Sequence, residues 1–249
     1  MSERRKVRLD LLLTQRGLVP TRSRARDLIK RGVVMAAGRV ETRAGAEFAE
    51  DAEIAVTEDW SGYVSRGSLK LAGALDHFGF ECDGRIALDI GASTGGFTQV
   101  LLRRGARTVY AVDTGSGQLH ADIAGDPRVV NLEKTDARAL NVALVPEPPE
   151  AITADVSFIS LTKALPAGLA LAAPGAWAVA LVKPQFEAGP DRVGKGGIVR
   201  DEAVRAEVLT TTRDFLNAQP GWSVVGEIPS PISGQSGNIE YLIGARYAP

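Results

Sequence analysis

The run Ile86-Ala87-Leu88-Asp89-Ile90 is apolar except for Asp89, and it opens directly into Gly91-Ala92-Ser93-Thr94-Gly95-Gly96-Phe97. A short apolar run feeding a glycine-rich turn is the first strand and turn of a strand–turn–helix unit, because glycine lets the backbone reverse tightly and lets a ligand approach it. Further strands are expected at Val109 to Asp113, Val129 to Leu132, Ala151 to Phe158, Trp177 to Val182, Ser223 to Ile228 and Ile239 to Ala245, with helices between most of them. Such alternation predicts an α/β fold with a parallel sheet covered on both faces.

The turn narrows the ligand. A dinucleotide fingerprint needs glycine at its third position, and Ser93 stands there, which disfavours NAD. Asp113 ends the second strand 22 residues after Gly91, where a carboxylate can accept both ribose hydroxyls of an adenosine, and Asp136 follows the third strand. Acidic residues at three successive strand ends point to S-adenosylmethionine, held by Asp89, Gly91, Ser93, Thr94, Gly95, Gly96, Phe97, Asp113 and Asp136. A second polar set, Lys70, Asp155, Lys183 and Glu240, lies before the first strand or at strand ends, where ligands bind in such sheets. Each charge taken singly reads as half of a structural salt bridge. Four that converge read as a catalytic centre.

Charge is distributed unevenly along the 249 residues. The net charge is only -1, yet residues 1 to 45 carry 12 Lys and Arg against 4 Asp and Glu, a net of +8. The front end therefore suits a polyanion. A helix is expected from Thr21 to Gly32 with Ala25, Leu28 and Ile29 inward; Arg22, Arg26 and Lys30 form a ridge beside that face, flanked by Arg24 and Arg31. Short strands should follow from Val33-Val34 to Ile54-Val56. One cysteine, Cys82, excludes an internal disulfide, and two histidines with one thiol are too few for the usual zinc site. No secretion signal is visible at the N-terminus. The uncharged stretch Ala164 to Val182 reaches 19 residues, but Pro174-Gly175 divides it into a helix and a buried strand rather than a membrane span. A cytoplasmic protein without membrane or metal partners is expected.

Two resemblances follow from these residues. Arg8-Leu9-Asp10, Leu13, Gly17-Leu18-Val19, Arg22, Ala25, Leu28-Ile29, Gly32, Gly38 and Asp51 before Ile54-Val56 resemble the S4-type RNA-binding domain, with Ala36-Ala37 where that family usually has an asparagine before the glycine. From Arg66 to Ala245, the Lys70, Asp155, Lys183, Glu240 set, the Asp89 to Phe97 turn and Lys183-Pro184-Gln185-Phe186-Glu187 resemble the FtsJ-like ribose 2'-O-methyltransferases. Joined in this order they resemble the haemolysin A (TlyA) family.

The resemblance implies residues 1–59 as a small α+β S4-like domain, 60–67 as a linker, and 68–249 as a Rossmann-like S-adenosylmethionine-dependent methyltransferase sheet. It also implies methylation of cytidine 2'-hydroxyls in ribosomal RNA or ribosomal subunits, with Arg8, Arg22, Arg24, Arg26, Lys30 and Arg31 on the RNA. A ribose hydroxyl is a weak nucleophile that must lie in line with the S–CH3 bond as its proton leaves. Lys183 would be either a base or a charged group that orients the oxygen. An ordinary lysine is almost wholly protonated near neutrality, so the first role requires repulsion from Lys70 to outweigh attraction to Asp155 and Glu240. Two other classes remain: an RNA-binding, ribosome-associated protein without catalysis, which should show a broken tetrad or turn, and a membrane-active haemolysin, which needs amphipathic or spanning segments. The run from Glu187 to Gly197 is a candidate closing loop or a plain connector.

Overall fold

The computed structural model describes residues 6–19, 21–30, 32–56, 62–234 and 237–249. They fall into two compact units, Met1–Gly62 and Tyr63–Pro249. The first contains β1 (Lys6–Arg8), α1 (Leu9–Gln15), α2 (Arg22–Lys30), β2 (Val34–Ala36), β3 (Arg39–Val40), β4 (Glu47–Ala49) and β5 (Ile54–Val56). β1 pairs with β4, and β2 lies between β3 and β5, all antiparallel. Ala25, Leu28 and Ile29 of α2 meet Leu9 and Leu13 of α1 in a small core with Val19, Val34 and Ala36, as the 3.6-residue spacing requires.

In the second unit come α3 (Gly67–Phe78), β6 (Ile86–Ile90), α4 (Gly96–Arg103), β7 (Thr108–Val112), α5 (Ala121–Ala124), β8 (Val129–Leu132), β9 (Ala151–Ala154), α6 (Leu161–Ala164) and α7 (Pro166–Leu169). β10 (Trp177–Val182), α8 (Pro184–Glu187), α9 (Glu202–Asn217), β11 (Trp222–Pro229) and β12 (Tyr241–Tyr247) complete it. The sheet order is β11-β12-β10-β9-β6-β7-β8. Alternation along the central strands sorts side chains between two cores. Ile86, Leu88 and Ile90 face Leu161, Leu165, Leu169 and Leu216, whereas Ala87 lies on the side of Leu71, Leu75, Val100 and Leu101. Covering both faces explains why β6 and β10 read as near-continuous apolar runs.

The architecture departs from the sequence expectation in three places. The sheet is not wholly parallel, because β12 runs antiparallel to both β10 and β11. Among the described residues of 230–240 there is no helix, and the chain returns from β11 to the antiparallel β12 as a hairpin connection rather than a crossover. β9 stops at Ala154 instead of reaching Phe158, because β6, its neighbour, ends at the Ile90 that pairs with Ala154. Asp155 to Phe158 therefore form a loop. Tyr63 to Arg66, expected as linker, pack within the second unit: the Val64 amide donates to Gln99 Oε1 at 2.7 Å and Arg103 lies 4.5 Å from the Tyr63 ring centre. Residues 60 and 61 of that linker lie outside the described residues. Among the described residues no helix is long and apolar enough to cross a membrane.

Ala37 and Gly38 join β2 to β3 with φ of 50° and 75°. Two successive left-handed residues suit the tight hairpin turn whose twist matches its strands, and alanine occupies the first at a steric cost. Asparagine tolerates this conformation. Ala37→Asn is expected to stabilise the chain by about 0.5–1 kcal/mol, read from denaturant unfolding of the first unit's transition. An unchanged or lowered midpoint would show that the turn carries no strain.

Candidate functional site

Strand register assembles one polar row at the carboxyl edge of the sheet. Ile90 pairs with Val112 on one side and with Ala154 on the other, so Gly91, Asp113 and Asp155 follow three neighbouring strands. Val182 pairs with Tyr241, which sets Lys183, just past β10, beside Glu240, just before β12. Chain order reverses direction at β6, between β7 and β9, and that is where ligands enter open α/β sheets. Lys70 arrives from α3.

The four charged residues form two ion pairs. Lys70 Nζ lies 2.5 Å from Glu240 Oε2, with both side chains almost fully enclosed, at 10% and 4% exposed. Lys183 Nζ lies 2.5 Å from Asp155 Oδ1 and donates to Ser157 Oγ at 3.0 Å. The bond to Ser157 uses one of its three donor directions, and the contact with Asp155 is an ion pair, so donor capacity remains for a substrate oxygen. A Cβ placed on Gly67, the first residue of α3, would lie 3.7 Å from Asp155 Oδ2, which sets the helix carrying Lys70 against the second pair. Ser157 escaped the sequence reading although it lies two residues past Asp155. So did Phe158, which is 91% exposed with φ of 65°. Its ring centre is 5.0 Å from that of Phe186, and Lys183 Nζ is 6.0 Å from the Phe186 ring. A large apolar ring in strained backbone, open to solvent beside reactive groups, needs a functional reason.

The glycine-rich turn contributes differently along its length. Gly91 (φ 85°) lies so close to the neighbouring strand end that a Cβ would sit 2.5 Å from the Asp155 carbonyl oxygen. Ser93 and Thr94 are exposed at the tip. Asp113 is half-buried; its carboxylate accepts the Ser93 amide at 2.9 Å and the Gly115 amide at 2.7 Å. Each oxygen keeps capacity for a ribose hydroxyl, so the turn and Asp113 fit the adenosine end of S-adenosylmethionine. Gly95, Gly96 and Phe97 are buried instead: a Cβ on Gly95 would meet Leu119, one on Gly96 would meet Ser65, and Phe97 packs in the core. They shape the turn from beneath. Asp136 is engaged by Arg138, whose side chain and amide donate to both carboxylate oxygens at the start of a short 3-10 turn.

In the first unit, Arg8, Arg22 and Arg26 all bond Asp10, whose side chain is fully buried. Burial pushes the Asp10 carboxyl up, but hydrogen bonds from Arg8, Arg26 and Arg22 together outweigh it and hold the group well below the usual carboxylate range. Arg24 pairs with Asp27 at 3.5 Å, and Lys30 is exposed. Arg31 lies outside the described residues.

Asp89 is fully buried beneath the turn, where sequence reasoning placed a cofactor contact. Its oxygens accept Thr98 Oγ1 at 2.6 Å and Thr153 Oγ1 at 2.9 Å, and Thr153 is its register partner on β9. It ties β6, α4 and β9 together. Burial pushes its carboxyl from 3.8 up to about 6, against the two hydroxyl bonds. The folded state thus holds this proton more tightly than the unfolded chain, so the stabilisation is full below about pH 4 and lost as pH rises through about 6. Asp89→Asn is expected to lack that loss. Melting temperatures of parent and variant should diverge between pH 4 and 7, the parent falling relative to the variant; parallel curves would contradict it.

Comparison with known proteins accords with this geometry. A model of the FtsJ-like methyltransferase family matches residues 63–247. The chain is 44% identical over 244 residues to the 16S/23S rRNA (cytidine-2'-O)-methyltransferase TlyA of Mycobacterium tuberculosis, covering 97% of this chain and 90% of that protein. It is 40% identical over 237 residues to Hemolysin A of Brachyspira hyodysenteriae, covering 95% and 98%. A solved protein from Streptococcus thermophilus named as a hemolysin matches with a TM-score of 0.76 at 40% identity, over 98% of this chain and 90% of that one. With the family model covering most of its length and its glycine-rich turn set beside two charge pairs at one sheet edge, this chain belongs to the FtsJ-like methyltransferase family.

Proposed function

We propose that the chain transfers a methyl group from S-adenosylmethionine to the 2'-hydroxyl of a cytidine ribose in ribosomal RNA. The observation that carries this reading is the convergence of Lys183–Asp155 and Lys70–Glu240 at one sheet edge, beside the turn formed by Gly91 and Ser93. The ribosomal and cytidine details rest on the printed activity of the Mycobacterium tuberculosis relative. The donor, when bound, supplies an electrophilic methyl group on a sulfonium. Asp113 accepts the ribose hydroxyls of the donor, and Ser93 and Thr94 line the tip of the turn. Lys183, held by its ion pair with Asp155 and its bond to Ser157, donates an N–H to the substrate oxygen and holds it in line; as the oxygen–methyl bond forms and the sulfonium–methyl bond breaks, the hydroxyl proton passes to water. Lys70 and Glu240 hold the other side of the site as a rigid, mutually neutralising pair. Phe158 offers an exposed face on which an unstacked base can lie, a requirement of RNA rather than of a small alcohol.

The first unit acts as an S4-type RNA-binding domain, with Arg8, Arg22, Arg24, Arg26, Lys30 and Arg31 toward phosphates. Ribosomal subunits are the partner, and the cytoplasm is the place of action. Mapping ribose methylation in ribosomal RNA from cells with and without the gene tests the whole reading; identical maps would overturn it.

Two variants test the assigned roles. Lys183→Ala should abolish turnover while changing donor affinity by less than about twofold, since Lys183 bonds the acceptor oxygen and not the donor, and arginine should not rescue it because its planar head misplaces the oxygen. Substantial methylation by the alanine variant would return Lys183 to a structural ion pair. Asp113→Ala should lose about 1–3 kcal/mol of donor binding by calorimetry, and an unchanged affinity would remove Asp113 from the adenosine pocket.

A further inference from the structure

Asp10 presents an imbalance that packing does not require. One buried carboxylate needs one cation, yet three guanidinium groups meet on it: Arg8 through Nε at 3.1 Å and Nη2 at 3.2 Å, and Arg22 and Arg26 each through Nε at 2.9 Å. Glu47, the register partner of Arg8 on β4, adds a second carboxylate near Arg8, yet three guanidinium groups still exceed these two carboxylates, and the repulsion among them works against the fold. All three side chains remain 41%, 43% and 50% exposed, while Asp10 is 0% exposed. The mode of attachment also matters. Arg22 and Arg26 give only Nε to the carboxylate, so the end-on Nη1/Nη2 edge of each, which forms paired hydrogen bonds to a phosphate, is not spent on it. Arg8 is laid flat besides: a Cβ on Gly45 would sit 3.4 Å from its Nη1.

We propose that Asp10 is a positioning residue for RNA: it fixes Arg8, Arg22 and Arg26 as a preassembled receptor for adjacent backbone phosphates, which complete its charge balance. The proposal rests on the RNA methyltransferase reading. Free arginines lose rotamer freedom on binding, and Asp10 has imposed much of that ordering beforehand. Removing the negative charge should therefore weaken binding to a polyanion, the opposite of what counting charges predicts.

The test titrates in vitro transcribed ribosomal RNA into the full chain at several salt concentrations, for the parent, Asp10→Asn, Arg22→Lys and Arg26→Lys. Asp10→Asn adds a net positive charge yet should bind about tenfold more weakly, with a shallower salt dependence because fewer phosphates are engaged at once. In methylation assays its KM for RNA should rise while kcat and donor affinity hold. The lysine variants keep charge at half-exposed positions but lack the fork and the Nε bond to Asp10; both should bind more weakly, and their melting temperatures, recorded alongside, separate a lost phosphate contact from a weakened first unit. Parent-like or tighter binding by Asp10→Asn, or parent-like binding by both lysine variants, would overturn the proposal alone. A parent chain that binds no ribosomal RNA would overturn the RNA reading together with it.

Discussion

Parallel pairing of β9 with β6 on one side and β10 on the other governs the rest of the second unit. The Asp155 amide donates to the Ile90 carbonyl at 2.9 Å, and the Gly91 amide donates to the Val112 carbonyl at 2.8 Å. These two bonds carry the sheet ladder one residue past the strands and bring the turn after β6 against the loop after β9. The approach is too close for any side chain at position 91, where a Cβ would stand 2.5 Å from a carbonyl oxygen. The glycine-rich turn and the charged pair are thereby built on one piece of backbone, and a displacement of either is felt by the other. Asp89 reinforces the same junction from below, through hydroxyls on α4 and β9. Rigid backbone of this kind suits a reaction that depends on alignment.

The charged groups are poor candidates for stabilising the fold. Lys70 and Glu240 sit almost wholly out of water, and apolar residues of equal volume would serve stability as well or better in such a place. Their presence is better explained by the role proposed for them at the sheet edge. Asp89 and Asp10 show how environment decides a carboxylate's behaviour. Both are fully buried. Asp89 has only neutral donors, the hydroxyls of Thr98 and Thr153 and the Thr98 amide, so desolvation dominates and its carboxyl is pushed up to about 6. Asp10 has three guanidinium donors, which outweigh desolvation and keep it charged. The first arrangement serves structure around a site; the second organises charge that faces solvent.

Much of this was legible beforehand because it is local. The apolar run of β6 and the glycines after it announce a strand and a tight glycine-rich turn, since both follow from backbone geometry within ten or so residues. The inward face of α2 was readable from Ala25, Leu28 and Ile29 for the same reason. Single positions within a motif were less secure. Asp89, Gly96 and Phe97 belong to the turn but lie beneath its surface, and Asp136 is engaged by Arg138, a residue two positions away whose local bond competes with any ligand.

By itself the sequence determined the class of fold, the place of the turn, the identity of the four charged residues and the cationic character of the front end, because periodicity, glycine and net charge act through neighbours along the chain. Only the tertiary structure decided that Lys70 meets Glu240 across 170 positions, that Lys183 takes Asp155 and Ser157, that β12 runs antiparallel, and that three arginines share Asp10. These facts depend on strand register and on which elements pack together. Side-chain alternation says which face a residue takes, but long-range pairing chooses what waits for it there.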